Sequence, residues 1–142
     1  EQKRSHPIDE LTEVCSVDEL LALQTSVREI YVDPAVSDYI VRLVASTRSH
    51  PDVYLGASPR GSIALYRSSQ ALAGLLGRDY VIPDDVKALA EPALAHRVII
   101  KTSSSIHDVS AAHVVREQVE STPIEAARQA SGPREVRPSP AG

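Results

Sequence analysis

Four helix-start signals recur along this chain of 142 residues, and each precedes an apolar pattern with the period of an α-helix. Ser16 and Glu19 have the spacing of a capping box, in which each side chain accepts a hydrogen bond from the backbone N–H of the other residue. Asp33 and Ser58 are polar N-caps, each followed by proline, which lacks an N–H and suits the first helical position. Pro83 opens the fourth segment. The chain is therefore expected to fold mainly into helices.

The apolar residues of these segments repeat every three or four positions, as on one face of a helix. We expect the first helix to end near Tyr31, the third to extend from Pro59 to about Leu76, and a shorter fifth helix to end near Val119. Pro92 is expected to kink or divide the fourth helix, because proline removes a backbone hydrogen bond and crowds the preceding turn. The residues expected to face the core are Val17, Leu20, Leu21, Val27, Ile30, Val36, Tyr39, Ile40, Leu43, Val44, Ile63, Leu65, Leu72, Leu75, Leu76, Val86, Leu89, Ala90, Leu94, Val115 and Val119.

Three short apolar segments, at 53–55, 80–82 and 99–100, are strand candidates. If 53–55 pairs with 80–82, the two strands hold the ends of the glycine-containing loop that leads to Arg60. The predicted fold class is mainly α: a small helical bundle of four main helices and a shorter fifth, mostly antiparallel, with one tiny two-stranded sheet.

Composition limits the classes of function. The formal charge of −4 argues against a nucleic-acid-binding protein, which carries a basic face. No apolar run approaches the roughly 20 residues that cross a bilayer. Cys15 is the sole cysteine and makes no internal disulfide, so we expect a cytoplasmic protein. We also expect Cys15 to pack against Leu20 across the first helix cap. Residues 1–14 are interpreted as an incoming linker, and the proline-rich residues 122–142 as a disordered tail.

Arg60 is the candidate functional residue, because it lies in the first turn of the third helix. A cation is unfavourable there, since the helix dipole already makes that end positive. A phosphate would offset the unfavourable charge, as free backbone N–H groups and a guanidinium can converge on it. The alternative is a solvated surface arginine, for which the penalty is only roughly 0.3 kcal/mol.

The sequence contains no P-loop, and its five histidines, at 6, 50, 96, 107 and 113, lack the spacing of metal ligands. Asp84 and Asp85 are adjacent, so their side chains point in different directions from a helix, and we interpret them as complements of the helix dipole. His107 and Asp108 are interpreted as a loop residue and an N-cap. We therefore expect neither a metal site nor catalysis by this chain alone.

Several motifs occur in order over roughly residues 6–101, around the helix expected at 16–30. They are His6-Pro7-Ile8-Asp9-Glu10-Leu11, Gly56-Ala57-Ser58-Pro59-Arg60, Gly77-Arg78-Asp79-Tyr80-Val81-Ile82-Pro83-Asp84-Asp85-Val86-Lys87 and Leu94-Ala95-His96-Arg97. Together they resemble the C-terminal lid domain of MoxR-type AAA+ ATPases. One departure is Ile82, because that family often has a capping threonine there, and it predicts a weaker start for the fourth helix.

The resemblance implies a helical lid over residues 15–121 that packs against a nucleotide-binding α/β core outside this chain. It implies that Arg60 is the sensor II residue, which reaches the γ-phosphate of ATP and couples hydrolysis to lid movement. ATP and Mg²⁺ would be bound in the parent ATPase, not by this lid alone. Ile63 is a candidate contact to the adenine or ribose, although a place in the core is the favoured interpretation. The family also implies chaperone-like assembly factors that form ring oligomers, with partners bearing von Willebrand A-type domains.

Two other readings of the sequence compete with this one. In a stand-alone helical protein-interaction module, Arg60 would pair with an acidic residue of a partner and would have no nucleotide role. A helical DNA-binding module is disfavoured by the acidic balance and by the absence of a recognition helix rich in lysine and arginine.

Overall fold

The computed structural model describes residues 11–106 and 108–125 of the chain. The predicted linker before Leu11, His107 and the tail beyond Glu125 lie outside the described residues. Six helices and two strands follow one another: α1 (Val17–Glu29), α2 (Pro34–Ser46), β1 (Val53–Leu55), α3 (Pro59–Leu75), α4 (Pro83–Leu94), β2 (Ile99–Ile100), α5 (Thr102–Ser105) and α6 (Ala111–Ser121). A 3₁₀ turn, Ala95–Arg97, separates α4 from β2. The predicted mainly α fold with one tiny sheet is thus confirmed, and α5 is an additional short helix.

The first two helices begin as the sequence predicts. The Ser16 N–H donates to Glu19 Oε2 at 2.7 Å, and the Glu19 N–H donates to Ser16 Oγ at 3.2 Å, which completes the capping box. The Asp33 carboxylate accepts from the Ala35 N–H at 2.8 Å. α1 ends at Glu29, two residues before the position expected.

The starts of α3 and α4 differ from expectation. Ser58 is the N-cap residue of α3, but its hydroxyl makes no capping hydrogen bond, so its predicted capping role is wrong. At α4 the carboxylate of Asp85 accepts from the Ile82 N–H at 2.9 Å, which supplies part of the cap that an isoleucine side chain cannot. Pro92 lies inside α4, which continues past it to Leu94, so the proline does not divide the helix.

The sheet pairs β1 with β2 in antiparallel orientation, with Val53 opposite Ile100. The predicted pairing of 53–55 with 80–82 is therefore wrong. The turn after α4 returns the chain to β1, and the Lys101 N–H donates to the Asp52 carbonyl at 2.8 Å. Residue Tyr80 forms an isolated parallel bridge with Tyr31 instead.

The core lies among α2, α3, α4 and α6, in which α2 and α4 each contact the other three helices. All five predicted core residues of α2 are buried, and in α4 three of the four are buried while Leu89 is partly covered. No helix of the described residues is both long and apolar enough to cross a membrane. The buried apolar residues are Val36, Tyr39, Ile40, Leu43, Val44, Val53, Ala57, Leu65, Ala73, Val81, Val86, Ala90, Leu94, Val98, Val114 and Val115.

α1 differs from the other long helices because none of its residues is buried. Cys15 is exposed and Leu20 is 48% exposed, so neither belongs to the core, and the packing of one on the other across the cap stays a prediction. The C-terminal end of α1 contacts α3. There the Gln70 amide donates to the Ile30 carbonyl at 2.6 Å. Gly74 leaves room for Ile30, since a Cβ on Gly74 would lie 2.8 Å from Ile30 Cδ1.

Candidate functional site

Arg60 is the second residue of α3, directly after Pro59, and its side chain is exposed. No acidic residue lies in the first turn of α3. Among the ion pairs of residues 11–106 and 108–125, none includes Arg60. The described part of the chain therefore leaves this guanidinium without a carboxylate, at the end of a helix that is already positive.

The loop before Arg60 is held to the C-terminal end of α2 through Ala57. The Ala57 N–H donates to Thr47 Oγ1 at 3.0 Å, and Arg48 Nε donates to the Ala57 carbonyl at 2.9 Å. Thr47 and Ala57 are both fully buried. At Gly56 the chain passes so near the segment that follows α2 that a Cβ would lie 2.7 Å from the Arg48 Cα, so this position requires glycine.

The residue after Arg60 is also packed. Gly61 is buried, and a Cβ on it would lie 3.1 Å from Leu94 Cδ2 and 3.4 Å from Ala57 Cβ. The first turn of α3 thus lies against α4 and against the loop held by α2. The backbone of Arg60 is fixed on both sides while its side chain faces solvent.

An open cavity of about 500 Å³ lies beside this loop and is lined by residues of three segments. Its polar side chains include Arg97, whose Nε donates to the Ala93 carbonyl at 3.1 Å. Within the described residues, Arg48 and Arg97 take part in no ion pair with a carboxylate. The cavity is therefore cationic and suits an anionic group. Its lining residues are Arg48, Tyr54, Leu55, Gly56, Ala57, Ser58 and Arg97.

Ile63 lies three residues after Arg60, on the same face of α3. Its side chain is 63% exposed, so the favoured interpretation as a core residue is wrong. The buried face of α3 instead follows Gly61, Leu65, Ser69 and Ala73, which recur every four residues. Position 63 falls outside that register and faces solvent beside Arg60.

A salt bridge that the sequence did not reveal fixes the start of α4. Arg78 Nη1 lies 2.9 Å from Asp85 Oδ2, and Arg78 Nη2 lies 2.6 Å from Asp85 Oδ1. Asp85 is only 3% exposed. Burial alone would raise the pKa of Asp85, but hydrogen bonds from Arg78 and the Ile82 N–H, with the charge of Arg78, hold that pKa below its ordinary value.

The two aspartates at the start of α4 have separate roles. Asp84 is exposed, and its Oδ1 lies 3.4 Å from Lys87 Nζ, as expected of a surface residue in a first turn. Asp85 does more than complement the helix dipole, because it accepts from Arg78 and caps α4. Among the described residues, no three histidine, cysteine, aspartate or glutamate side chains lie close enough together to hold a metal ion.

Comparison with known proteins agrees with this architecture. A family model described as "AAA lid domain" matches residues 45–118. The chain is 41% identical over 129 residues to the uncharacterised protein YeaC of Bacillus subtilis, covering 91% of this chain and 40% of that protein. It is 34% identical over 107 residues to the chaperone MoxR1 of Mycobacterium tuberculosis, covering 69% of this chain and 28% of that protein.

A solved structure shares the fold. The crystal structure of a candidate ATPase from Cytophaga hutchinsonii superposes with a TM-score of 0.75 at 25% sequence identity, covering 77% of this chain and 36% of that one. The chain thus spans well under half the length of each of these proteins.

The helical bundle, the small sheet and the loop into α3 define the class of AAA+ lid domains. Within that class the chain belongs to the AAA lid domain family, as the C-terminal lid of a MoxR-type AAA+ ATPase. The resemblance seen in the sequence motifs is confirmed.

Proposed function

We propose that this lid completes the nucleotide site of an intact MoxR-type ATPase, and that Arg60 is its sensor II residue and contacts the γ-phosphate of ATP. The observation that carries the proposal is the exposed guanidinium in the first turn of α3. No acidic residue of that turn and no ion pair of the described chain offsets its charge. An anion delivered by a neighbouring domain would do so.

The chemistry of the donors fits a phosphate. Pro59 has no N–H and the Gly61 N–H donates to the Ser58 carbonyl, so the Arg60 N–H is the free backbone donor of this turn, and the Ser58 hydroxyl does not cap it. A guanidinium beside this N–H matches the charge and the planar geometry of phosphate oxygens. ATP with Mg²⁺, held by the core of the parent ATPase, would supply the phosphates, and this chain would supply the cation that recognises them.

A contact to the γ-phosphate would make lid position depend on the nucleotide. ADP lacks that phosphate, so the lid would lose one attractive interaction after hydrolysis. Ile63, exposed on the same face as Arg60, would contact the adenine or ribose side of the nucleotide. Arg60 would thereby couple hydrolysis to movement of the lid.

The wider function follows from the family. We propose that the parent ATPase acts in the cytoplasm as a chaperone-like assembly factor, forms ring oligomers, and acts with proteins bearing von Willebrand A-type domains. Support comes from the relative named as the chaperone MoxR1 and from the match to the AAA lid family.

The substitution Arg60→Ala in the intact ATPase tests the proposal. We expect turnover of ATP to fall by about tenfold or more, because an interaction with the transferring phosphate is lost. Arg116→Ala is the matched control, since Arg116 lies on α6 and pairs with Glu91 at 2.8 Å. The thermal unfolding of both variants is measured alongside turnover. Unchanged turnover in a folded Arg60→Ala protein would contradict the proposal.

Calorimetry on this chain by itself gives a second arm of the same test. Because the phosphates would be held mainly by the missing core, ATP binding should be weak or undetectable. A dissociation constant of about 1 μM, equivalent to roughly −8 kcal/mol, would show that the nucleotide site has been misplaced.

A protein-interaction module without a nucleotide role is the second candidate, and the exposed apolar residues of α1 favour it. The coding sequence upstream of Glu1 distinguishes the two candidates. A P-loop and an acidic Mg²⁺-binding strand end within that sequence support the ATPase, and their absence supports the interaction module.

A further inference from the structure

We infer that Thr47 and Arg48, at the C-terminal end of α2, are positioning residues for Arg60. The inference rests on the proposed function of Arg60 and adds to it the residues that set where its guanidinium lies. They act through the backbone of Ala57, three residues before Arg60.

The first step concerns the two hydrogen bonds that fix the backbone of Ala57. Its N–H donates to Thr47 Oγ1 at 3.0 Å, and its carbonyl accepts from Arg48 Nε at 2.9 Å. Both backbone polar groups of Ala57 are therefore bound by consecutive side chains that directly follow α2, the C-cap residue Thr47 and Arg48. Ala57 cannot rotate about its backbone without breaking one of these bonds, and the bond to Thr47 is buried, where water offers no replacement.

The second step is the orientation of the Thr47 hydroxyl. It donates to the Val44 carbonyl at 2.7 Å, so its lone pairs are left to accept from Ala57. Thr47 is fully buried, and its hydroxyl joins the last turn of α2 to the loop. A valine would fill the same volume and remove both hydrogen bonds, whereas a serine would keep them.

The third step connects the held loop to Arg60. Between Ala57 and buried Gly61 the chain has only three residues, and Gly61 packs against Leu94 and Val44 as well as Ala57. The Gly61 N–H also donates to the Ser58 carbonyl at 2.7 Å. The Cα of Arg60 is thus anchored from both sides, and only its side chain remains free to reach an anion.

Such anchoring matters for a residue that must meet a phosphate brought by another domain. Placement errors of about 1 Å in a catalytic group can lower rates by about a hundredfold. A guanidinium on a loosened loop would also lose conformational entropy on binding. Losing the hold on Ala57 should therefore weaken the action of Arg60 without removing Arg60.

A double-mutant cycle in the intact ATPase tests the inference. We expect Thr47→Val to lower kcat by about tenfold and Thr47→Ser to stay within about twofold of the unmodified enzyme. In an Arg60→Ala background, Thr47→Val should change kcat by less than about twofold, because the residue that it positions is already gone. Ser69→Ala is the control, since the buried Ser69 hydroxyl has no hydrogen-bond partner in the described structure.

Arg48→Met is the second variant if Thr47→Val fails to fold. It keeps the aliphatic stem and removes the Nε donor to Ala57, and the same non-additivity with Arg60→Ala is expected. Equal effects of either variant in the presence and absence of Arg60 would overturn the inference, since they would indicate general destabilisation.

Backbone dynamics of this chain provide a readout that is independent of ATP hydrolysis. In Thr47→Val, amide hydrogen exchange at Ala57 should accelerate by about tenfold, and the order parameter of the Arg60 amide should fall. Unchanged dynamics at both amides would overturn the positioning role. If Arg60→Ala leaves turnover intact while these amides loosen, the proposed function fails and the structural hold on Arg60 stands.

Discussion

α1 and α2 begin with similar capping signals in the sequence but differ in how much of each is buried in the structure. Each has 13 residues, a side-chain N-cap bond at its start and an apolar stripe of helical period. α2 buries five residues and α1 buries none. Helical periodicity therefore predicts which face of a helix is apolar, but it does not predict whether this polypeptide covers that face.

The difference arises from the neighbours of each helix. α2 contacts α3, α4 and α6, so its apolar face is enclosed. α1 contacts α3 where Ile30, directly after α1, lies beside Gly74. An open groove of about 810 Å³ lies between the two helices. Apolar side chains of both helices line that groove, among them Leu20, Leu23 and Leu75.

The largest expected effect contrasts equivalent deletions in the two helices. Leu43→Ala removes a side chain of α2 that is 0% exposed, and we expect it to lower the free energy of unfolding by about 2–5 kcal/mol. Leu23→Ala, in α1, removes one that is 59% exposed and should change it by less than about 0.5 kcal/mol. Urea titration of the chain followed by circular dichroism measures both. Equal losses would show that α1 is as tightly packed as α2.

A smaller effect is expected at the start of α4, which belongs to the packed region. Asp85→Asn should lower the free energy of unfolding by about 2 kcal/mol, because it removes the charged acceptor of Arg78. The pair is partly open, as the Arg78 side chain is 21% exposed, so the loss should stay below the roughly 3–5 kcal/mol of a fully buried pair.

The pH dependence of unfolding checks the same residue. The pKa of Asp85 is lower in the folded chain than the unfolded value of about 3.9. Its contribution to stability is therefore fully present above about pH 4 and is lost as the pH falls through the folded pKa. Asp85→Asn should remove this part of the acid destabilisation. An unaltered pH profile below about pH 4 would contradict the assignment.

The smallest effect compares the two N-caps. Asp33→Ala and Ser16→Ala each remove a side-chain acceptor, a change of about 1 kcal/mol in helix stability. For Asp33 the loss should appear in global unfolding, because α2 is part of the core. For Ser16 it should appear only as faster hydrogen exchange within α1, with global unfolding changed by less than about 0.5 kcal/mol. A full loss in global unfolding for Ser16→Ala would mean that α1 unfolds with the core.

Local features of the fold were predictable from the sequence. The helix starts at Val17 and Pro34 follow from side-chain capping, and those at Pro59 and Pro83 follow from proline at the first helical position, both of which act within a few residues. The partner of β1 was not predictable, because two apolar segments were equally suitable and the turn after α4 decides between them. The same holds for Asp85, because its partner Arg78 lies seven residues earlier, in the connection between α3 and α4.

The candidate site likewise contains one residue that could be selected from the sequence and others that could not. Arg60 could be selected from the sequence because its unfavourable position depends only on its own helix. Thr47 and Arg48 could not, since the bonds that they make to Ala57 connect residues that are separated by β1 and carry no sequence pattern. Ile63 was misassigned because α3 buries positions four residues apart, beginning at Gly61, and this register follows from tertiary packing.

The exposed thiol of Cys15 has a practical consequence. As the single cysteine of the 142 residues, it lies one residue before the cap of α1 and is open to solvent. A maleimide dye would attach there without competition from other thiols, close to the helix whose apolar side chains face outward. A change in the emission of that dye would then report, in real time, the binding of another polypeptide segment to α1.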